Sequence, residues 1–268
     1  MNATEVHTQE DAALKAEVHD YWNAQPCGTQ FTDLPPGTKE FYDEVERFRY
    51  ATQPFMERLC GFKRFRGKKL LEIGCGLGTD SLQFARNGAI VTGIDLTEEG
   101  PRLAKQRFNL EGLQGEFLSA DAENLPFADA TFDVVYSFGV LHHTPDTQKA
   151  IDEVYRVLKP GGEIVIMLYH KHSLHTWIGV PLYFLSGLLK GKVHGYKDWV
   201  RVYDGGANPL GKAYSRSDAR KMFAKFKDVH FAMCDSYRRK YPKFLNAINQ
   251  SLFAPWAGFW MMIYGKKG

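Results

Sequence analysis

The sequence predicts a doubly wound α/β domain with extra segments over its binding edge, and three observations predict it. Strand-like and helix-like stretches alternate through the middle of the chain, a glycine-rich turn follows the first strand, and an acidic residue ends the second. Parallel strands need a crossover between them, usually a helix, so alternation of this kind is the signature of a mostly parallel sheet.

The elements follow in order. Lys69–Gly74 is a short apolar run, and residues 79–87 have helical spacing. Ile90–Asp95 is the next strand, then a helix runs near Glu98–Leu110 and stops at Gly112. Glu116–Ala120 is a weaker strand. Phe132–Phe138 is apolar on both faces, as a central strand should be. Thr144-Pro145 reads as a helix start, Thr as N-cap and Pro at the first helical position. That helix carries Ile151, Val154, Tyr155 and Leu158 on one face. Lys159-Pro160-Gly161-Gly162 stops it and turns into Glu163–Leu168, another buried strand. Residues 169–214 lose the regularity. Ser215-Arg216-Ser217-Asp218 has a capping-box pattern and opens a helix to about Phe226. Val229–Cys234 and Ala257–Tyr264 close the chain as strands. The expected organisation is a helical cap segment (1–60), a ligand-binding core (61–168), a cap insertion over the substrate site (169–214) and a C-terminal helix and strands that complete the sheet (215–268).

Composition narrows the class. A chain of 268 residues accommodates one core with insertions. Its net charge of +3 is too slight to point to a nucleic-acid partner. Cys27, Cys60, Cys75 and Cys234 lie far apart with no CxxC pair, which fits neither a zinc knuckle nor an iron–sulfur set and suits a reducing cytoplasm. The first 22 residues hold no apolar run of the signal-peptide kind. Leu174–Leu189 and Leu252–Gly265 are apolar, but both are shorter than the ~20 residues of a spanning helix and carry Pro and Gly.

The chemistry concentrates at strand ends. In Gly74-Cys75-Gly76-Leu77-Gly78 a strand runs into a glycine-rich turn and then a helix, so backbone can approach a ligand closely and helix N–H groups point at it. The spacing is GxGxG. Thr79 stands where the dinucleotide fingerprint GxGxxG would have its last glycine, so a nucleoside without a pyrophosphate fits better than NAD. Glu72, just before the loop, suits a cationic ligand; otherwise it is a solvated strand-end charge. Asp95 ends the second strand, where an acidic side chain accepts from ribose hydroxyls or caps a helix.

Two further stretches complete a set. LLEIGCGLG, VTGIDL, DAENLPF, FDVVYSFGVLHH and VLKPGGEIVIM, in this order and spacing, resemble the class I S-adenosylmethionine-dependent methyltransferases over about residues 66–168. The resemblance implies a Rossmann-like, mostly parallel seven-stranded sheet with an antiparallel last strand, N-terminal helices and a cap insertion after the fifth strand. It also implies S-adenosyl-L-methionine as methyl donor, S-adenosyl-L-homocysteine as product, and transfer to an oxygen, nitrogen or sulfur of a small-molecule acceptor. By that resemblance Asp121 meets the adenine amino group, Ala122 the ring through its backbone, and Leu96 the adenine face. Asp95 holds the ribose, and Glu72, Gly74 and Gly76 line the methionine end. Cys75 and Gly78 belong to the same loop, and Phe138 sits by the transferable methyl. The chain lacks the Asp-Pro-Pro-Tyr or Asn-Pro-Pro-Tyr motif and reads Ser137-Phe138-Gly139-Val140 there, which argues against DNA adenine or protein glutamine as acceptor.

On the acceptor side, His142 and His143 follow the central strand. One of them acts as general base, or serves only as a structural hydrogen-bonder. Methyl transfer from a sulfonium draws most of its acceleration from alignment, so a base is not obligatory. Tyr21, Trp22, Tyr169, Trp177 and Tyr203 are the candidate substrate-pocket residues, with plain packing as the alternative. The aromatic insertion carries Lys190, Lys192, Lys197 and Arg201 and could rest on a membrane surface. His170, His172 and His175 have no Cys or carboxylate at useful spacing, so no metal is expected. The competing functions are a membrane-associated methyltransferase of a lipid or quinone-like acceptor, an NAD(P) oxidoreductase, and a non-catalytic adenosylmethionine-binding protein. The sequence names neither the acceptor nor an oligomeric state.

Overall fold

A computed structural model describes residues 3–189, 200, 208–236 and 243–268. Helices open the chain: α1 (Ala3–Ala24), a 3-10 turn at Thr29–Phe31, α2 (Lys39–Thr52) and α3 (Met56–Cys60). Then β1 (Lys69–Ile73), α4 (Thr79–Arg86), β2 (Ile90–Asp95), α5 (Glu99–Leu110), β3 (Glu116–Ser119) and β4 (Phe132–Phe138) alternate as expected. A 3-10 turn at Leu141–His143 leads to α6 (Thr147–Val157), β5 (Leu158–His170) and α7 (Leu174–Leu189). The chain continues through β6 (Ala213–Tyr214), α8 (Arg216–Met222) and β7 (Phe226–Cys234), then α9 (Lys243–Ile248), α10 (Ala254–Ala257) and β8 (Trp260–Lys267).

The strand order is β3-β2-β1-β4-β5-β8-β7. β1 to β5 run parallel, and β8 runs antiparallel to both β5 and β7. The seven-strand path is the expected one; the two-residue β6, beside Tyr169 and His170, adds an eighth strand. Strand periodicity divides the core between the sheet's two faces. Leu71, Ile73, Val135, Ile164 and Ile166 pack against Ile151 and Val154 of α6 and Phe223 beyond α8. Leu70, Val134, Tyr136, Val165 and Met167 face the other way, onto Phe84 of α4 and Met56, Cys60 and Phe62. A smaller cluster of Phe41, Tyr42, Val45, Leu77 and Leu103 seats α2.

Three local readings are corrected. α6 is capped by Asp146, whose side chain accepts from the Lys149 N–H, and not by Thr144. Lys212 Nζ donates to the carbonyls of Thr144 and Pro145 at 2.9 and 2.6 Å, which holds those two residues outside the helix. β5 begins at Leu158, before Glu163, because Leu158 pairs with Phe132 and the Pro-Gly-Gly run is taken up in a register shift. The irregular insertion contains a full helix, α7, which runs through Pro181. The capping box at Ser215 and Asp218 is present with both of its reciprocal bonds.

A buried cation joins the helical layers. Arg107 of α5 is 1% exposed and donates to Glu46 of α2 at 2.6 Å and to the Thr79 hydroxyl of α4 at 2.8 Å. Burial lowers its pKa against the pull of Glu46. Glu46→Leu should strand this charge and cost about 3 kcal/mol in urea unfolding, because half of a buried pair is worse than none. Glu46→Leu combined with Arg107→Met should recover most of the loss; a double variant as unstable as the single would show that the pair itself is not what matters.

Candidate active site

The sheet order reverses between β1 and β4, and the loops leaving their carboxyl ends part there to form a cleft. The cleft holds about 1190 Å³, part of it open to solvent. Glu72, Gly74, Cys75, Gly76, Asp95, Leu96, Asp121, Ala122 and Phe138 all line it, together with Trp22 and His143. Gly78 does not. A Cβ at Gly78 would stand 3.0 Å from Ala104 Cβ, and its backbone has φ of +68°, so this glycine serves the packing of α4 on α5.

The glycine loop is pinned to the end of β2. The Gly74 and Cys75 N–H groups both donate to the Ile94 carbonyl, at 2.7 and 2.8 Å, and the Gly76 N–H donates to Asp95 Oδ2 at 3.0 Å. Asp95 Oδ1 accepts from the Thr97 N–H and hydroxyl at 3.1 and 2.8 Å, so three hydrogen bonds orient the carboxylate before any ligand arrives. Burial raises its pKa, against those bonds. Gly74 has φ of +80°, and a Cβ there would lie 2.0 Å from Val140 Cγ2.

Glu72 is buried and accepts from the Ser81 hydroxyl. Burial first, and nearby Asp80 second, push its carboxyl well above the ordinary range. Asp80 is itself saturated. Arg49 Nε donates to it at 2.8 Å and Arg49 Nη2 at 2.5 Å, while the hydroxyls of Tyr50 and Tyr136 donate at 2.9 and 2.8 Å. The Arg49 guanidinium lies 5.1 Å over the Phe138 ring and lines the cleft.

Across the cleft, α1 acts as a cover. Lys15 donates to Asp121 Oδ2 at 2.6 Å and to Glu123 Oε2 at 2.7 Å, and Val18 and Trp22 face the same space. Burial lowers the Lys15 pKa, but the two carboxylates outweigh it and leave it above its ordinary value.

The two histidines part company. His142 is fully buried, packs at a 43° tilt against Tyr169 with ring centroids 3.9 Å apart, and does not line the cleft. Burial, then His143 and Lys212, hold its pKa well below the ordinary value, so it is a neutral packing imidazole. His143 does line the cleft, with Trp22 at 5.9 Å. Its Nδ1 meets both the Leu210 carbonyl, which would accept from a protonated Nδ1, and, at 3.1 Å, Asn208 Nδ2, which would donate to a bare one.

Among the described residues, Trp22 is the one substrate-pocket candidate that lines the cleft. Tyr21 packs edge-on against Trp22, Tyr169 is buried between His142 and Phe259, and Trp177 is 58% exposed on α7. Tyr203 lies outside the described residues. Sequence reasoning missed Lys15, Arg49, Asp80 and Thr97. Three of these carry no local signal: Arg49 meets Asp80 across 31 residues, and Lys15 meets Asp121 across 106.

Gly74→Ala should destabilise the chain by about 2 kcal/mol or more, the sum of left-handed strain and the Val140 clash. Val140→Ala in the same chain should recover part of this. Urea unfolding of the three variants checks it, and an unaffected Gly74→Ala would mean that the loop has room to spare.

Comparison with known proteins agrees with this geometry. Residues 71–166 match the family model described as a methyltransferase domain. The chain is 38% identical over 128 residues to the 27-O-demethylrifamycin SV methyltransferase of Amycolatopsis mediterranei, covering 46% of this chain and 47% of that one. It is 43% identical over 127 residues to the phthiotriol/phenolphthiotriol dimycocerosates methyltransferase 1 of Mycobacterium ulcerans, covering 45% and 46%. The matched region thus spans about half the length of these curated relatives. Among solved structures, the magnesium protoporphyrin IX methyltransferase of Synechocystis PCC 6803, crystallised with bound S-adenosylhomocysteine, superposes with a TM-score of 0.59 over 95% of this chain and 100% of that one, at 18% identity. Five ordered motifs gathered on one sheet edge, within the methyltransferase-domain match over residues 71–166, are what this chain shares with these methyltransferases, and the solved structures share its fold.

Proposed function

We propose that this protein moves a methyl group from S-adenosylmethionine to a nucleophilic atom of a small-molecule or lipid-type acceptor by direct in-line displacement. The observation that carries the reading is the convergence of Glu72, Asp95 and Asp121, from three separate strand ends, on one cleft floored by the glycine loop. The cleft fits the donor chemically. Asp95 is pre-oriented to accept from ribose hydroxyls, and Asp121 with Ala122 lies where an adenine edge would be read. Glu72 is buried beside Asp80 at what would be the methionine end, and a cation bound there would favour the ionised form of Glu72. Arg49, beside them, is the group suited to the donor's carboxylate.

The bound donor would supply a sulfonium-activated methyl group. What the chain contributes is position and dryness. Phe138, Val140 and Trp22 of α1 all line the cleft, and Phe138 would wall the methyl side. His143, which lines the cleft, would receive the acceptor's proton. The two curated relatives are named for a 27-O-demethylrifamycin and for phthiotriol dimycocerosates, which favours a hydroxyl on a large, apolar acceptor here.

Calorimetry should show adenosylmethionine binding and no NAD binding; the reverse result would overturn the proposal. Asp95→Ala should weaken donor binding at least about tenfold, through loss of charge-assisted hydrogen bonds. It should also lower the melting temperature, since Gly76 and Thr97 lose their acceptor. A labelled-methyl screen of hydroxyl, amine and thiol compounds identifies the acceptor atom. On that acceptor, His143→Gln should reduce turnover roughly 10²–10⁴-fold with donor binding intact. Full activity in His143→Gln would mean that alignment alone carries the catalysis.

A further inference from the structure

Two apolar elements are left uncovered at one edge of the sheet. On α7, Trp177, Ile178, Leu182, Leu185, Leu188 and Leu189 are exposed, Leu189 at 82%. In the connection between β7 and β8, Phe244, Leu252, Phe253 and Trp256 are exposed, Trp256 at 75%. Neither Leu174–Leu189 nor Phe244–Ala257 contains a Lys, Arg, Asp or Glu. A helix apolar around most of its surface belongs inside something, and single soluble chains rarely expose patches of this extent.

The topology puts both elements in one place. β5 and β7 are each antiparallel to β8, so their carboxyl ends share an edge. α7 leaves the end of β5, and the second element joins the end of β7 to the start of β8. Asp235 ties them together: its Oδ2 meets His175 Nε2 of α7 at 3.2 Å, and its backbone carbonyl accepts from Gln250. The cleft opens on this same edge, and Phe138 in its wall meets Trp260, the first residue of β8, at 5.6 Å.

Charge identifies the occupant. In sequence, Leu189 runs directly into Lys190 and Lys192, and Phe244 follows Arg238, Arg239, Lys240 and Lys243, with no acidic residue in either short stretch. After Asp235 the chain has no acidic residue at all. Among the described residues, Arg216 Nη2 donates to the Trp256 carbonyl at 3.3 Å, and Lys171 stands exposed at the end of β5. Asp218, the acidic neighbour, is engaged in capping α8. An apolar belt with cations at its rim and tryptophans among its exposed side chains matches an anionic bilayer surface. We propose that this edge docks peripherally on an anionic lipid bilayer through α7 and the Phe244–Trp256 segment, with the cleft facing the surface from which an amphiphilic acceptor would enter. No described helix is long and apolar enough to cross a membrane, so the contact is one of lying on the surface.

The test uses the purified full chain and needs no turnover. Sedimentation with vesicles of phosphatidylcholine plus phosphatidylglycerol should pellet the protein, less so as NaCl rises, and pure phosphatidylcholine vesicles should pellet little. Leu182→Asp with Leu185→Asp should lower vesicle affinity about tenfold or more. Melting temperature and donor binding of that variant should stay unchanged, which separates docking from the methyltransferase reading. Should it melt early, Phe244→Ser with Leu252→Ser on the second element carries the same expectation. Absence of pelleting with either vesicle overturns the proposal, and equal pelleting with both overturns the anionic assignment. A wild-type dimer in sedimentation velocity that becomes monomeric in the Leu182→Asp, Leu185→Asp variant would assign the face to a second copy of the chain instead.

Discussion

Asp80, in the lining of the cleft, is only 3% exposed, and it is tolerable there because four donors meet it. The Arg49 fork neutralises it from α2, and two tyrosine hydroxyls, one from α2 and one from β4, complete its shell. A lone carboxylate in that position would be expelled or protonated; a satisfied one becomes a fixed joint. The joint holds α2 against α4 and the centre of the sheet. It sets Arg49 over Phe138, and it places a second buried carboxyl, Glu72, next to an existing negative charge. The electrostatic character of this end of the cleft follows from that one arrangement.

The remainder of the cleft is assembled with different stiffness on its two sides. The glycine loop is held by backbone bonds to Ile94 and Asp95, within a sheet whose core residues are almost fully buried. α1, opposite, is held by Lys15 to Asp121 and Glu123 and by His19 to Glu98, pairs that keep part of their surface in water. Pairs of that kind contribute at most about 1 kcal/mol each. Of the two sides, α1 is the more lightly tied.

The carboxyl edge gathers more than the cleft. Because β8 turns back antiparallel between β5 and β7, α7 and the Phe244–Trp256 segment both spring from that edge. Tyr169, Phe259 and Trp260 form an aromatic bridge between this apolar surface and the cleft wall at Phe138. His142 and Tyr169 are part of that bridge, which is why neither stands free to meet an acceptor.

Much was legible in the sequence alone, because its signals are local. Apolar runs such as Phe132–Phe138 declare central strands, the GxGxG spacing declares a turn that backbone must fit, and Ser215 with Asp218 declares a helix start; each depends on neighbours within a few residues. The order of such signals along the chain was enough to name the fold and to pick out candidate donor-binding positions, and all of those but Gly78 line the cleft. The tertiary structure decided the rest: that Lys15 faces Asp121, that Arg49 and two tyrosines share Asp80, that His143 lines the cleft while His142 is sealed beneath it, and that Thr144 is drawn out of α6 by Lys212. These depend on side chains brought together from 30 to more than 100 residues apart. Burial and charge pairing at such range follow from how the layers pack, and no local periodicity encodes them.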